Sequence, residues 1–188
     1  MQKIMSLFQR DYEGDRLVRD EVTPGAEWVI KGEGIATRKW DGTCCKIENG
    51  ILYKRYDAKN GKTPPDGFIP AQEPDPVTGH WPGWLRVGDG PEDKWFREGY
   101  QNTIEENKEQ GGTFELVGPR INGNKDDMHH HILLKHGDCV LDYEFDTVPR
   151  TFTELKRWFA DKPIEGIVWH HPDGRMVKIK KKDFGYKW

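Results

Sequence analysis

Asn49-Gly50 lies between two segments of alternating character, Cys44-Cys45-Lys46-Ile47-Glu48 and Ile51-Leu52-Tyr53-Lys54. Asn-Gly favours both residues at positive φ, the requirement of a tight type I′ turn, so the two segments are expected to fold back as a β-hairpin. A local hairpin commits its strands to antiparallel pairing and sets which residues share a face. Further strands are expected at Glu27–Ile30, 113–117 and 139–145. A pair at 164–169 and 176–180 flanks the turn-rich His171-Pro172-Asp173-Gly174-Arg175.

Helices are fewer. Phe96, Tyr100 and Ile104 recur at i, i+4, i+8 and predict a helix over about 92–109, stopped by Gly111-Gly112. A second is expected over 152–160, with Thr151 as N-cap and Glu154 three residues on, the capping-box pattern. Between 60 and 91 seven prolines interrupt the chain, which predicts a long loop. Strands outnumber helices and pairings are local, so the fold class is α+β: mainly antiparallel sheets with flanking helices. At 188 residues the chain is expected to be a single domain, 1–188.

Composition narrows the function classes. Aromatics reach 12% with eight Trp, which excludes a disordered chain. No apolar run approaches the ~18 residues of a membrane span, so no membrane partner is expected. The start carries no long apolar stretch, so no secretory signal is expected. Cys44, Cys45 and Cys139 form no CxxC pair, which disfavours a zinc ribbon or disulfide framework and fits reduced thiols in a cytoplasmic protein. Residues 175–188 carry net +5 within a chain of net −3, a basic block suited to an anionic, phosphate-bearing partner.

GxxxxGK[ST], GxGxxG and HExxH are all absent, so P-loop, Rossmann and zincin chemistry lack support. The cluster Met128-His129-His130-His131 with His136 offers metal-ligand types, but adjacent residues on a strand point in different directions, which argues against convergence. The pairs Trp81/Trp84 and Trp95/Phe96 are expected as core or loop anchors before base-stacking platforms.

What remains is an ordered series: Lys39-Trp40-Asp41-Gly42, Tyr53-Lys54-Arg55-Tyr56, Phe114-Glu115-Leu116-Val117-Gly118, Asp142-Tyr143-Glu144-Phe145-Asp146, Glu165-Gly166-Ile167-Val168-Trp169 and Lys178-Ile179-Lys180. This series resembles the covalent nucleotidyltransferases, the polynucleotide ligases and mRNA capping enzymes. Their motifs run Lys-x-Asp-Gly, a downstream Arg, a Glu-bearing strand, an aromatic-Asp strand, Glu-Gly-hydrophobic and Lys-x-Lys. The stretches Lys-Trp-Asp-Gly-Thr-Cys-Cys and Phe-Glu-Leu-Val-Gly-Pro-Arg-Ile-Asn-Gly-Asn are most similar to a compact group of ATP-dependent RNA ligases.

The resemblance implies a nucleotidyltransferase (adenylation) domain of the ligase and capping-enzyme type. Eight residues follow Lys180, so no OB domain is expected. Lys39 is the implied nucleophile, forming a lysyl-AMP with ATP. Lys178 and Lys180 are the implied α-phosphate contacts, and at i and i+2 they share one face of a strand. Glu115 is the implied ribose partner and Glu165 the ligand of a catalytic Mg²⁺ or Mn²⁺. Arg55 is implied at the ribose or the RNA donor end, with Lys54 beside it as the other choice. For base stacking the implied aromatic is Tyr143 or Phe145, which share a face if 139–145 is a strand.

The implied partner is RNA with 5′-phosphate and 3′-hydroxyl ends. The alternatives are a GTP-using capping-type guanylyltransferase and a non-catalytic RNA-binding module descended from a ligase. Intact Lys39, Glu115, Glu165, Lys178 and Lys180 argue against the module.

Overall fold

The structure, a computed structural model, describes residues 4–59, 61–76, 78–105, 111–145 and 147–188. In chain order the elements are β1 (Met5–Ser6), β2 (Phe8–Arg10), β3 (Val18–Val22), α1 (Glu27–Ile30), β4 (Ile35–Lys39), β5 (Thr43–Glu48), β6 (Ile51–Ala58), β7 (Ile69–Pro70), β8 (Trp81–Arg86), α2 (Lys94–Glu105), β9 (Gly112–Val117), β10 (Ile132–Lys135), α3 (Phe152–Phe159), β11 (Gly166–His170) and β12 (Met176–Lys180). Short 3-10 turns cover Pro91–Asp93, Leu141–Tyr143 and Lys181–Phe184. Sheets are mainly antiparallel, as the α+β expectation requires. Among the described residues, no helix is long and apolar enough to cross a membrane.

The chain divides into two compact units. A hairpin unit is built from Asp41–His136, and a two-segment unit from Ile4–Trp40 with Gly137–Trp188.

In the hairpin unit, six strands pair in the order β10-β9-β5-β6-β8-β7. Asn49 and Gly50 adopt φ of 52° and 73°, the I′ geometry the dipeptide predicts, and Cys45 pairs with Lys54 and Lys46 with Tyr53. One sheet face carries Cys45, Ile47, Leu52, Phe114, Leu116 and Leu133, all buried, with Trp95, Phe96 and Tyr100 of the α2 helix packed on them. Gly99 allows that approach, because a Cβ there would collide with Leu116. The opposite face carries Cys44, Lys46, Tyr53, Arg55, Trp84, Thr113 and Glu115, as the cross-strand register dictates.

In the two-segment unit, four strands pair in the order β1-β12-β11-β4, with β1 parallel to β12 and the other pairs antiparallel. Ala36, Ile167, Trp169, Val177 and Ile179 are buried in one core cluster with Leu155 and Phe159 of α3, and with Phe8 and Phe184. Burying such a side chain stabilises the fold by about 1.5–3 kcal/mol each. The other face carries Lys39, Thr37, Val168, Lys178 and Lys180. The basic block at 175–188 is thus no solvated tail: its first lysines sit on an inner strand of a sheet.

Four expectations need correction. Glu27–Ile30 is one helical turn, not a strand. Gly25 at φ 91° reverses the chain and its N–H is held by the Glu27 carboxylate, so Trp28 and Val29 are buried from a helical turn. The 139–145 segment is not a strand. Only Val140 makes an isolated bridge, to Thr37; after that the Leu141 carbonyl accepts from the amides of Glu144 and Phe145, closing a turn. The proline-rich 60–91 region holds two strands, β7 and β8: Pro70 lies on the two-residue edge strand β7 and Pro82 within β8, while Pro64, Pro65, Pro74, Pro76 and Pro91 fall outside both. Thr151 does take the N-cap position of α3, but its hydroxyl binds the Glu154 carboxylate at 2.6 Å and makes no cap to the backbone. The expected end of the first helix, 106–109, lies outside the described residues.

Candidate active site

The two-segment unit gathers four of the expected residues. Gly166 at the start of β11 lies opposite Lys39 on one side and Lys180 on the other. A Cβ at Gly166 would strike the Ile179 carbonyl, so glycine is required by the close approach of β12. With no side chain between them, the two lysines converge on Glu165. The Lys39 Nζ lies 2.5 Å from Glu165 Oε2, and the Lys180 Nζ lies 2.8 Å from Oε1. Glu165 is 4% exposed, so its charge is removed from water and held by these two ammonium groups. The Lys39 Nζ also reaches the Trp40 carbonyl at 3.3 Å.

Lys178 stands two residues before Lys180 on the same face. Burial pushes its ammonium down to about 8, and the charges of Lys180 and Lys39 push the same way. Glu165 and Asp183 oppose that shift. Asp183 is itself buried, accepting from the Lys180 amide at 2.9 Å and pairing with Arg10 at 2.5 Å. Lys39 and Lys180 therefore share the Glu165 carboxylate with Lys178 beside them, while Asp183 is engaged by Arg10, an excess of positive charge that an anion would relieve.

The hairpin unit holds the other expected residues. Asp41 and Gly42 form a turn pinned by a loop that spacing alone does not single out. Asn122 Nδ2 donates to Asp41 Oδ1 at 3.1 Å and to the Gly42 carbonyl at 2.7 Å. Asp126 accepts from the Asp41 amide at 2.9 Å, and the Lys125 Nζ lies 3.3 Å from Asp41. Asn122, Asn124 and Asp127 have φ near 50°, a left-handed conformation that Asn and Asp tolerate. A Cβ on Gly42 would collide with the Leu116 carbonyl and with Glu115, so the glycine of Lys-x-Asp-Gly is fixed by strand contact.

Glu115 sits on β9 directly opposite Cys44 of β5. Its Oε2 lies 3.0 Å from His136 Nε2, and His136 Nδ1 lies 3.0 Å from the Thr113 hydroxyl. Burial pushes the Cys44 thiol up to about 12, and the Glu115 charge adds to it, so the thiol is neutral. His136 and Cys44 are neighbours of Glu115 that no motif predicts; the register of β5 on β9 and the end of β10 bring them there.

The structure separates Arg55 from Lys54. Lys54 faces the helix side, with its Nζ 2.5 Å from the buried Asp93, whose other oxygen accepts from the Gly88 amide at 2.8 Å. Arg55 lies on the opposite face, its guanidinium 5.4 Å from the Trp84 ring centre and 3.1 Å from Asp57. Lys54 is a structural ion pair, whereas Arg55 lies on the face with Glu115 and Lys46.

Tyr143 and Phe145 do not share a strand face. Tyr143 ends a 3-10 turn. Phe145 packs edge-on against Trp158 at 5.2 Å, with the Lys162 ammonium 5.5 Å over its ring, so it is an anchor at the margin of the core. The histidine cluster does not converge either. His131 is buried, bonded to Glu98 at 2.7 Å and stacked on Trp95 at 4.5 Å, while His129 and His130 are exposed. Trp84 is buried and Trp81 donates to the Gln72 carbonyl at 2.8 Å, so both serve as anchors.

One buried carboxylate is thus shared by lysines from the Lys-x-Asp-Gly and Lys-x-Lys stretches, and comparison with known proteins finds similarity to RNA ligases. The family model described as RNA ligase 1 matches residues 101–188. RNA ligase 1 of Mus musculus is 28% identical over 82% of this chain and 68% of its own length. RNA ligase 1 of Pongo abelii is 26% identical over the same shares. RNA ligase 1 of Danio rerio is 34% identical over 40% of this chain and 25% of its own length.

Proposed function

We propose that this chain is an ATP-dependent RNA ligase that carries AMP on Lys39. The observation that supports the reading most is the Lys39–Glu165–Lys180 contact with Lys178 on the same sheet face. In the proposed first step the Lys39 amine attacks the α-phosphorus of ATP. A nitrogen–phosphorus bond forms, the bond to pyrophosphate breaks, and pyrophosphate leaves. An oxygen of an RNA 5′-phosphate then attacks the lysyl-AMP phosphorus; a phosphoanhydride bond forms, the nitrogen–phosphorus bond breaks, and the Lys39 amine takes up a proton and is restored. A 3′-hydroxyl attacks that activated phosphate, the phosphodiester forms, and AMP is released.

The residues suit these roles. A lysine with its ordinary pKa of about 10.4 is protonated near neutrality, so the nucleophile must shed a proton. The Glu165 oxygen 2.5 Å away is within reach of it. Lys178 and Lys180 offer fixed positive charge to phosphoryl oxygens as the leaving group departs. Glu115 offers an acceptor to a ribose hydroxyl, and Arg55 offers a cation to the ribose or the RNA end. For base stacking, the resemblance offers Tyr143 or Phe145.

The donor set also fits Mg²⁺ or Mn²⁺: Glu165 supplies a hard carboxylate oxygen, and such ions complete their shell with water and phosphate. Bound there, the ion would offset phosphate charge during transfer. RNA is chosen as the substrate because the similar proteins are named RNA ligases. A reducing, cytoplasmic setting goes with three free cysteines.

The test is end joining. The chain is incubated with ATP, Mg²⁺ and 5′-phosphorylated, 3′-hydroxyl RNA offered as a nick, a single-stranded break and a hairpin, with GTP in parallel. The expected result is joined product with ATP in at least one format and none from Lys39→Arg. No product in any format, or product that persists in Lys39→Arg, would contradict the proposal.

A further inference from the structure

Glu115 lies in a group whose chemistry goes beyond a ribose contact. One donor atom each from Cys44, Glu115 and His136 lies within 4.8 Å of the other two. All three are half-buried and all belong to the hairpin unit. Cys44 and Glu115 are directly opposite on neighbouring strands, and His136 follows the last residue of β10, so rigid elements hold the group. Donor atoms around a tetrahedral zinc lie about 3.3–3.8 Å apart, given bonds of 2.0–2.3 Å. The group therefore closes on such an ion through side-chain rotation alone.

The neighbours are also those of a metal site. A metal-binding histidine is generally oriented by a hydrogen bond to its other ring nitrogen. Here the Thr113 hydroxyl holds Nδ1 at 3.0 Å, and Nε2 faces Glu115 at 3.0 Å. A hydroxyl both donates and accepts, so it supports either tautomer. Without an ion, Nε2–H donates to Glu115 and Nδ1 accepts from Thr113. With an ion on Nε2, the proton moves to Nδ1 and Thr113 accepts it.

We propose that Cys44, Glu115 and His136 bind a single zinc ion, with the fourth position open to water or a phosphate oxygen. On binding, the Cys44 thiol gives its proton to water and ligates as thiolate; thiolate, imidazole and one carboxylate suit zinc, while magnesium favours an all-oxygen shell, so the site discriminates against magnesium. Three protein ligands with one open position make an exchangeable site, unlike the closed four-ligand sites that hold a fold together. Where Glu115 also serves the ribose, zinc and nucleotide exclude each other; that consequence rests on the function proposed above, whereas the ion site does not.

The first measurement is zinc affinity of the full chain by competition with a chromophoric chelator, with Co²⁺ as a spectroscopic substitute. One equivalent is expected, with a cobalt–thiolate absorption band. Cys44→Ser and His136→Asn should each weaken zinc at least about 10-fold, an effect of the size that loss of even an outer-shell partner produces. Cys139→Ser should match the parent chain, and far-UV circular dichroism reports folding of each variant. No zinc at one equivalent, no thiolate band, or unchanged affinity in folded Cys44→Ser overturns the site.

The second measurement is Lys39 labelling by ATP and Mg²⁺ with and without one equivalent of zinc. Inhibition in the parent chain that is relieved in Cys44→Ser supports mutual exclusion. Labelling unaffected by bound zinc overturns the exclusion and leaves the ion site standing. No labelling without zinc is a failure of the proposed ligase function, and the chelator result then stands by itself.

Discussion

The two units solve opposite electrostatic problems on similar sheet faces. In the two-segment unit, one buried carboxylate meets two ammonium groups, with a third lysine beside them. In the hairpin unit, Glu115 meets a neutral thiol and an imidazole; the cations on its face, Arg55 and Lys46, pair with Asp57 and Glu48, and Lys54–Asp93 is turned to the other face. The first face concentrates uncompensated positive charge and is suited to phosphate. The second offers acceptors and soft donors and is suited to hydroxyls or a metal. The difference comes from register: Gly166 leaves space between two lysines, whereas Cys44 fills the position opposite Glu115.

The largest break in this contrast comes from Glu165→Gln. It removes the shared negative charge and leaves three lysines together. Breaking a fully buried pair costs about 3–5 kcal/mol; with the lysine side chains about one-fifth exposed, a loss of about 2–3 kcal/mol is expected. Urea denaturation measures it, and a loss under about 0.5 kcal/mol, the size of an ordinary surface change, would mean the carboxylate is not structurally coupled to the lysines.

Lys54→Met and Arg55→Met sharpen the contrast next, because the two adjacent cations face opposite sides. Lys54→Met strands the buried Asp93 and should destabilise the fold by about 2 kcal/mol. Arg55→Met should change stability by less than about 1 kcal/mol, as a surface pair does, while weakening nucleotide or RNA binding. Denaturation beside a filter-binding assay separates them, and the reverse pattern would invert the assignment of faces.

The remaining effect is a pH dependence. The Lys178 pKa is depressed from 10.5 to about 8 in the folded chain. Its charge therefore opposes folding below about 8, and stability rises with pH between about 8 and 10.5, where the unfolded chain holds more protons. A polyanion that keeps Lys178 protonated should bind about tenfold more weakly near pH 9 than near pH 7. Tripolyphosphate titration of the parent chain and of Lys178→Met tests it. The step should vanish in the variant, and its persistence would assign it to another group.

Local signals were the legible ones. Asn49-Gly50 fixed its hairpin, and Lys-x-Lys at i and i+2 placed both lysines on one face, because such spacings carry their geometry within a few residues. Glu27–Ile30 misled because four mostly apolar residues fit a strand or a helical turn equally, and Gly25 decided it. Residues 139–145 misled because alternating acidic and apolar side chains look like a strand, while the ladder there extends to Val140 alone. Lys54 and Arg55 were inseparable until the helix showed which face it covers. The grouping of Cys44, Glu115 and His136 was invisible because two strands and the turn after a third, far apart in sequence, create it.

The most direct measurement is the intact mass of the chain after incubation with ATP and Mg²⁺, beside GTP and beside Lys39→Ala. A gain of one AMP per chain is expected with ATP alone, and none in the variant, which loses at least about 10³-fold in rate with its nucleophile. No adduct with either nucleotide, an adduct of GMP, or an AMP adduct that survives in Lys39→Ala would contradict it.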